Sequence, residues 1–262
     1  MEQMIVIKCG GSTMEQLPDA FFQAIARLQA DGKQLAIVHG GGPAINAMLD
    51  RLDIKPRFVD GLRVTCEDTL AVVEMVLCGT INKTLVRRLT QAGAKAWGMS
   101  GMDGQMLIAE KTDKPLGWVG EIRKVQTALP RFVLSQGYVP VIAPLSVSAD
   151  GTERYNVNAD QAAGAVAAAL GAEKLILVTD VPGIMRPQPD GSKAVVPYTN
   201  PQEIAGMIAA KVITGGMIPK VQAALDALAQ GVEKVVICRG TAEELLAVCA
   251  GKEAGTTVAM QG

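Results

Sequence analysis

Short, almost wholly apolar segments recur along this chain of 262 residues, and longer helical segments separate them. Each apolar segment is about five residues long, is rich in β-branched side chains and lacks the apolar–polar alternation of a half-exposed strand. Such segments are typical of parallel strands that are buried on both faces of a sheet. The predicted strands cover residues 4–8, 35–39, 94–99, 139–143, 175–179 and 235–238.

Helical patterns fill the intervals between these strands. Paired short runs with turn residues at 55–64 and 105–125 predict hairpins that stand on the sheet, and the Pro- and Gly-rich segment 183–197 predicts an exposed loop or hairpin. The predicted helices cover residues 17–30, 44–52, 67–92, 126–136, 159–170, 202–210, 219–230 and 242–249.

Alternation of strands and helices on this scale predicts an α/β fold. Helices would cover both faces of a central, mostly parallel sheet, which gives a three-layer sandwich with the β-hairpins as accessories. No repeat and no flexible linker interrupts the chain. We therefore predict a single domain over residues 1–262, whose parts share one continuous sheet.

Composition excludes several classes of function. The 25 basic and 26 acidic residues leave a formal charge of 25 − 26 = −1, which gives no electrostatic basis for binding nucleic acid or an anionic membrane. The longest apolar stretches, such as 162–170, are too short to span a bilayer. Five scattered cysteines without a CxxC pair predict reduced, mostly buried thiols in a cytoplasmic protein. His39, the single histidine, argues against a thiol–imidazole catalyst and is interpreted as structural.

Glycines cluster where three predicted strands end. The clusters are Gly10–Gly11, Gly40–Gly42 and the glycines of residues 98–104. One such turn would be only a tight connection, but three at the same sheet edge predict a crevice in which backbone N–H groups bind an anion. Neither a P-loop nor a GxGxxG motif is present, so a phosphate would be bound by a different architecture.

Several charged residues lie at the same predicted edge. Lys8 closes an apolar strand and would point into the crevice, whereas Lys220 lies at a helix start, where a cation is unfavourable unless an anion compensates it. A solvent-facing lysine is the alternative for Lys220. Asp160 could be only a helix cap or a first-turn acid, or it could be a site acid. Arg63, at a junction between a hairpin and a helix, is well placed to bind a carboxylate, and Asp180 could cap, bind a ribose or orient a metal.

Eight segments together resemble the amino-acid-kinase family, and within it the branch that phosphorylates N-acetyl-L-glutamate. The resemblance runs from end to end, and the order of the segments is that of the family. The segments are IVIKCGGS, IVHGGGPAIN, FVDGLRVT, GTINKTLV, SGMDG, YNVNADQAA, LVTDVPGI and ITGGMIPKV.

The resemblance assigns roles by position. Lys8 and Lys220 would stabilise the transferring phosphoryl group, and Asp160 would orient both lysines. Residues 1–172 would form a lobe for the amino-acid substrate and residues 173–262 a lobe for the nucleotide. Acetylglutamate would be bound by Gly41, Gly42, Arg63 and Asn158. The nucleotide would be bound by Gly10, Gly11, Asp180, Val181, Gly183, Ile184, Met185, Ile213, Thr214, Gly215, Gly216 and Met217.

The implied reaction is attack of the substrate γ-carboxylate on the γ-phosphate of ATP, the second step of arginine biosynthesis. It gives N-acetylglutamyl 5-phosphate and ADP. A carboxylate is already ionised at neutral pH, so no general base is needed. The nucleotide would carry Mg²⁺, and no protein metal site is expected. The alternatives are a kinase for a carrier-linked aminoadipate or glutamate and a catalytically inactive, nucleotide-sensing homologue.

The resemblance also bears on assembly. Arginine-inhibited hexameric relatives carry an extra helix before the first strand, whereas only three residues precede Met4 here. We therefore expect a homodimer that arginine does not inhibit, with the helix at 67–92 contributing to the dimer surface.

Overall fold

The fold is described from a computed structural model that covers residues 3–11, 16–188 and 190–260. Ser12, which ends the first family segment, and Pro189, within the predicted exposed loop, lie outside these residues. The strands are β1 (Met4–Cys9), β2 (Gln34–His39), β3 (Phe58–Val59), β4 (Leu62–Arg63), β5 (Ala96–Ser100), β6 (Leu107–Lys111), β7 (Gly120–Val125), β8 (Val139–Ala143), β9 (Leu145–Val147), β10 (Arg154–Asn156), β11 (Lys174–Thr179), β12 (Met185–Pro187), β13 (Lys193–Val195), β14 (Tyr198–Thr199), β15 (Lys234–Arg239) and β16 (Thr256–Ala259).

Helices connect most of the long strands. A π-helical segment, Met75–Ile81, joins the third and fourth α-helices, and a short 3₁₀ turn spans Asp103–Gln105. The α-helices are α1 (Asp19–Ala30), α2 (Gly42–Arg51), α3 (Glu67–Glu74), α4 (Asn82–Gln91), α5 (Ala128–Ser135), α6 (Ala159–Leu170), α7 (Pro201–Ala209), α8 (Met217–Ala229) and α9 (Ala242–Cys249).

All six predicted strands lie in one eight-stranded sheet with the order β14-β16-β15-β11-β1-β2-β8-β5. The six run parallel to one another, and only β16 and its parallel neighbour β14 run in the opposite direction. The predicted fold class is therefore confirmed. The carboxyl ends of β1, β2, β5, β8, β11 and β15 meet at one edge of the sheet.

Smaller sheets stand beside the central one. The predicted hairpins are present: β3 pairs with β4, β6 pairs with β7, and β12 pairs with β13 in the segment predicted as a loop or hairpin. The sequence analysis missed β9 and β10, which complete a four-stranded sheet with the order β10-β9-β6-β7. Each is only three residues long, and pairing with neighbours rather than local composition makes them strands.

The core lies on both faces of the central sheet. Side chains of β1 alternate, so that Ile5 and Ile7 pack with α1–α4 and α9 on one face, while Met4 and Val6 pack with α5–α8 on the other. Because the period is two, Lys8 shares the second face with Met4 and Val6. This alternation directs Lys8 toward α6.

One long helical run covers residues 67–91, as predicted for 67–92, but its centre is π-helical. By length and composition alone this run could cross a membrane, yet half of its most apolar stretch is buried inside the protein, as in a core helix. A π segment inside an α-helix often marks a functional site. Here it contacts the glycine loop that follows β2, since a Cβ on Gly41 would lie 2.3 Å from Ile81 Cδ1 and 2.6 Å from Leu77 Cδ2.

Candidate active site

Lys8 and Asp160 form an ion pair at the carboxyl edge of the sheet. Lys8 Nζ lies 2.7 Å from Asp160 Oδ1, and the two side chains are only 11% and 20% exposed. Lys8 ends β1, and Asp160 lies in the first turn of α6, which packs on the same face of the sheet. Two residues far apart in the sequence are thus joined, as predicted from the resemblance.

Asn158, not Asp160, caps α6. Its Oδ1 accepts hydrogen bonds from the backbone N–H groups of Asp160 at 2.9 Å and Gln161 at 3.2 Å. Asp160 is therefore a first-turn acid of α6 and not its cap, and its carboxylate pairs with Lys8. Asn158 keeps its Nδ2 hydrogens for a ligand.

The two predicted glycine loops contact each other backbone to backbone. A Cβ on Gly11 would lie 2.7 Å from the backbone nitrogens of both Gly41 and Gly42. A side chain at position 11 would therefore force the loops apart, because the colliding atoms belong to the backbone. Glycine here serves close approach, and it brings the N–H groups of both loops to the same place.

Arg63 is a buried cation held by neutral groups. It is 9% exposed, and its Nη2 donates to Asn46 Oδ1 at 2.6 Å and, at 3.4 Å, to the Gly42 carbonyl. Its guanidinium lies 4.8 Å from the centre of the Phe58 ring. Burial lowers the pKa of Arg63, and its Nη1 has no hydrogen-bond partner within the described residues. The ion pairs found in the described part of the chain give Arg63 no carboxylate.

These groups line one cavity of about 220 Å³. The charged residues in its wall are Lys8, Arg63 and Asp160, so their net charge is 2 − 1 = +1. The cavity is smaller than the roughly 300–1,000 Å³ of typical ligand pockets and suits a small, anionic metabolite. Its lining consists of Lys8, Gly11, Gly40, Gly41, Gly42, Ile45, Phe58, Gly61, Leu62, Arg63, Leu77, Val119, Pro144, Asn156, Val157, Asn158, Ala159 and Asp160.

All four predicted acetylglutamate residues are in this lining, as are Lys8, Asp160 and Gly11. The sequence analysis did not find Asn156, whose Nδ2 donates to Thr65 Oγ1 at 3.1 Å and ties β10 to the start of α3. Asn156 lies two residues before Asn158 in the same family segment, which is the signal that could have found it. Val119 and Pro144 have no comparable signal, because only the small sheet brings them to the cavity.

His39 is buried next to the glycine loop that follows β2 and hydrogen-bonds to it. Its Nδ1 donates to the Gly40 carbonyl at 3.1 Å, and its Nε2 accepts from Asn82 Nδ2 at the same distance. The same Asn82 nitrogen also contacts the Met99 and Val141 carbonyls. Burial is the main cause that lowers the pKa of His39 to about 4, so the ring is neutral at pH 7. Its structural interpretation agrees with these contacts.

Lys220 lies in the first turn of α8, outside the lining of the small cavity. Its Nζ donates to the Gly216 carbonyl at 3.3 Å. The charge of Lys220 also contributes to lowering the pKa of Asp180, after the larger effect of a hydrogen bond from Thr179. Asp180 follows β11, the parallel neighbour of β1, so Lys220 lies on the side of the site toward β11. The meeting of Lys220 with Lys8 at one phosphoryl group stays a prediction.

The predicted nucleotide residues fall into two groups. Ile184 and Ile213 have core side chains, and Gly183, at φ 149°, packs so tightly that a Cβ would lie 2.6 Å from Thr256 Oγ1. That hydroxyl also accepts a 2.8 Å hydrogen bond from the Ile184 backbone. These residues can offer a ligand only backbone groups. The remaining ones are half-buried or exposed: Gly10, Gly11, Asp180, Val181, Met185, Thr214, Gly215, Gly216 and Met217.

The cysteines offer no catalytic thiol at this site. Burial raises the pKa of Cys9 to about 12 and those of Cys78 and Cys249 to about 11, and it raises that of Cys238 further. Cys66 is exposed, and hydrogen bonds with Thr69 lower its pKa. All five are free thiols.

Comparison with known proteins fixes the family. The sequence model of the Amino acid kinase family matches residues 3–239. The chain belongs to the amino acid kinase family. Acetylglutamate kinase of Brevibacillus brevis is 75% identical over 260 residues, which are 99% of this chain and 98% of that protein. Acetylglutamate kinase of Halalkalibacterium halodurans is 47% identical over 100% of this chain and 98% of its own length.

Solved structures agree with the amino acid kinase fold. A Streptococcus mutans protein with 34% identity superimposes with a TM-score of 0.86 over the whole of both chains. N-acetylglutamate synthase of Neisseria gonorrhoeae, 26% identical, gives 0.84 over 99% of this chain and 60% of its own. Carbamate kinase of Giardia lamblia, at 14% identity and a TM-score of 0.74 over 99% of both chains, shares the fold.

Proposed function

We propose that this chain transfers the γ-phosphoryl group of ATP to the γ-carboxylate of N-acetyl-L-glutamate. The observation that carries the proposal is the 220 Å³ cavity, in which Arg63 lacks an acidic partner among the described residues and faces the same space as the Lys8–Asp160 pair. A buried cation with only neutral partners is costly, and an anion that binds to it lowers that cost. The full-length relatives named acetylglutamate kinase support the choice of substrate.

The site would bind the substrate by its two ends. Arg63 can bind the α-carboxylate, while Asn158 Nδ2 and the N–H groups of Gly41 and Gly42 can bind the remaining polar atoms. This arrangement would leave the γ-carboxylate near Lys8. A γ-carboxylate oxygen then attacks the γ-phosphorus, the bond from that phosphorus to the β–γ bridging oxygen breaks, and ADP leaves. No proton is transferred, so the absence of a neutral-pH base from the cavity wall is no obstacle.

The protein would contribute to this reaction mainly by placing positive charge around the transferring phosphoryl group. Lys8 and Lys220 would neutralise charge on the transferring group, and Asp160 would keep Lys8 in position through the 2.7 Å ion pair. Gly10 and Gly11 would offer N–H groups to the phosphates. Among the described residues, no three His, Cys, Asp or Glu side chains form a metal site. Mg²⁺ carried by the nucleotide would take its ligands mainly from phosphates and water.

A division into lobes is part of the proposal, with residues 1–172 binding the amino acid and residues 173–262 the nucleotide. A wider cleft of about 770 Å³ lies between the two parts, with β7 and α6 on one side and α8 on the other, although none of the predicted nucleotide residues lines it. Asp160 belongs to the walls of both the cleft and the small cavity. The nucleotide residues Asp180–Met185 and Ile213–Met217 all lie in the second lobe.

A coupled assay of ADP release tests the activity. We expect turnover with N-acetyl-L-glutamate and little with glutamate, aspartate or aminoadipate, and hydroxylamine should trap an acyl phosphate as its hydroxamate. ADP release only with a carrier-linked substrate would favour the aminoadipate alternative. Nucleotide binding without ADP release from any of these substrates would favour the sensing homologue, and either result would refute the proposal.

We also propose a cytoplasmic homodimer. β5 ends the eight-stranded sheet with one edge unpaired in the described chain, and it exposes 54% of Trp97, whose ring packs edge-on against Tyr138. Met75 of the π segment is 58% exposed. In light scattering, Trp97→Glu should give a monomer, whereas Met260→Glu, near the other end of the sheet, should stay dimeric. The free thiols fit a reducing compartment.

Three absences complete the proposal. Neither nucleic acid nor a membrane is proposed as a partner, in keeping with the balanced charge. Arginine is proposed not to inhibit. Addition of arginine to the ADP-release assay tests that point, and a concentration-dependent loss of turnover would contradict it.

A further inference from the structure

Asn46 makes the shortest contact of the Arg63 side chain. Its Oδ1 lies 2.6 Å from Arg63 Nη2, whereas the Gly42 carbonyl accepts from the same nitrogen at 3.4 Å. A hydrogen bond to a charged donor at the shorter distance is strong, and the longer one is weak. Asn46 is therefore the main polar contact that fixes the guanidinium among the described residues.

Helix stability does not explain Asn46. It is the fifth residue of α2 and is half-buried. Asparagine inside a helix is less favourable than alanine, because its amide competes for backbone hydrogen bonds. No helix cap uses it, since α2 begins at Gly42 after Gly41. The amide oxygen on Arg63 is the contact that accounts for the residue.

A guanidinium is a planar fork, so fixing one nitrogen fixes the directions of the others. With Nη2 bound to Asn46 and the plane lying over the Phe58 ring, Nη1 keeps one orientation and has no partner in the described residues. Asn46 is also neutral. It holds the fork without cancelling its charge, so the full charge of Arg63 is left for an incoming carboxylate.

We infer that Asn46 is a positioning residue for substrate binding, because its side-chain oxygen aims the Arg63 guanidinium at the α-carboxylate of the amino-acid substrate. The inference rests on the proposed function and names a residue that does not itself touch the substrate. It requires at position 46 a neutral side-chain oxygen that accepts from Arg63.

The first test is Asn46→Ala. The KM for N-acetyl-L-glutamate should rise about tenfold or more, while kcat and the KM for ATP stay within about twofold. Alanine favours the helix but leaves Arg63 Nη2 with only the weak Gly42 contact, so the melting temperature is measured alongside and kinetics are compared only between folded variants. Asn46→Asp keeps an oxygen at the same place but pairs Arg63 with an acid, so this KM should stay raised, whereas Asn46→Gln keeps a neutral amide oxygen and should bring it back toward the wild-type value. Asp50→Ala, an exposed change on the same helix, is the control.

A double-mutant cycle separates positioning from a general effect on α2. If Asn46 acts only through Arg63, Asn46→Ala should leave kcat/KM unchanged in an Arg63→Ala background. If Asn46→Ala lowers kcat/KM by the same factor in the wild-type and Arg63→Ala backgrounds, the inference is overturned. An unchanged KM for N-acetyl-L-glutamate in the single Asn46→Ala variant would also overturn it. If the wild-type chain releases no ADP with N-acetyl-L-glutamate, the proposed function fails instead, so the two failures are distinguishable.

Discussion

Burial of His39 makes the stability of this protein depend on pH. The ring is fully buried beneath the Gly40 carbonyl, and its pKa falls from 6.5 to about 4. In the unfolded chain the ring takes up a proton as the pH drops below 6.5, but in the folded chain it stays neutral until about pH 4. The unfolded state thus binds more protons in this window. The stabilising contribution is complete above pH 6.5 and is lost as the pH falls toward 4.

The magnitude follows from the two pKa values. A difference of 6.5 − 4 = 2.5 units, at about 1.4 kcal/mol per unit, gives a total loss of about 3.5 kcal/mol. Between pH 7 and pH 5, above the range where most carboxylates titrate, the loss should be about 2 kcal/mol. Urea unfolding followed by circular dichroism at both pH values measures it.

His39→Gln supplies the comparison, because glutamine cannot titrate and its amide can still bond to the Gly40 carbonyl or Asn82. The variant should be less stable at pH 7, yet it should lose about 2 kcal/mol less than the wild type between pH 7 and pH 5. His39→Asn provides a second non-titrating variant if glutamine does not fit. If the free energy of unfolding of the wild type and of a folded variant falls by the same amount between pH 7 and pH 5, the buried neutral ring does not explain the pH dependence.

Five further substitutions test the site and the packing. Lys8→Ala should lower kcat at least about a hundredfold, since one preorganised charge donor contributes roughly 3–4 kcal/mol in a transition state; a rise in KM alone would make Lys8 a ground-state binder. Arg63→Ala should raise the KM for acetylglutamate and leave that for ATP within about twofold; the reverse pattern would invert the assignment of lobes. Gly11→Ala should lower both the melting temperature and kcat/KM, because its Cβ would lie 2.7 Å from backbone of the facing loop; wild-type values would show that the loops are not in contact. Gly206→Ala, in α7 with open space around it, should add up to about 1 kcal/mol to the free energy of unfolding, whereas the same change at Gly164, 3.3 Å from the Ala227 Cβ, should not; equal shifts in melting temperature would contradict this packing.

Local sequence is enough to predict those strands and helix ends that depend only on residues close together in the chain. The six apolar segments became the parallel strands because continuous apolar runs are stable only when both faces are covered. Positive φ angles at Gly93 (93°), Gly137 (74°), Gly171 (68°) and Gly231 (98°) follow the helices that precede predicted strands. The boundaries moved by a few residues, as when the strand predicted at 94–99 became Ala96–Ser100.

The weaker elements depended on tertiary contacts. β9, β10, β14 and β16 have two to four residues each, and their hydrogen bonds go to partners that local sequence does not identify. The π segment within 67–91 is a similar case. Its position against Gly41 reflects packing between elements, and the sequence pattern of a long helix does not contain it.

The α/β class, the edge of the sheet that carries the candidate site, and the family follow from the sequence, because apolar patterning and motif order are properties of the chain alone. Tertiary structure alone decided which groups meet: Lys8 with Asp160, Gly11 with Gly41, and Arg63 with Asn46 rather than with an acid. The reason is physical. Hydrogen bonds and ion pairs form only when the two atoms lie within a few tenths of an ångström of the right separation. These separations are set only when the helices and loops pack on the finished sheet.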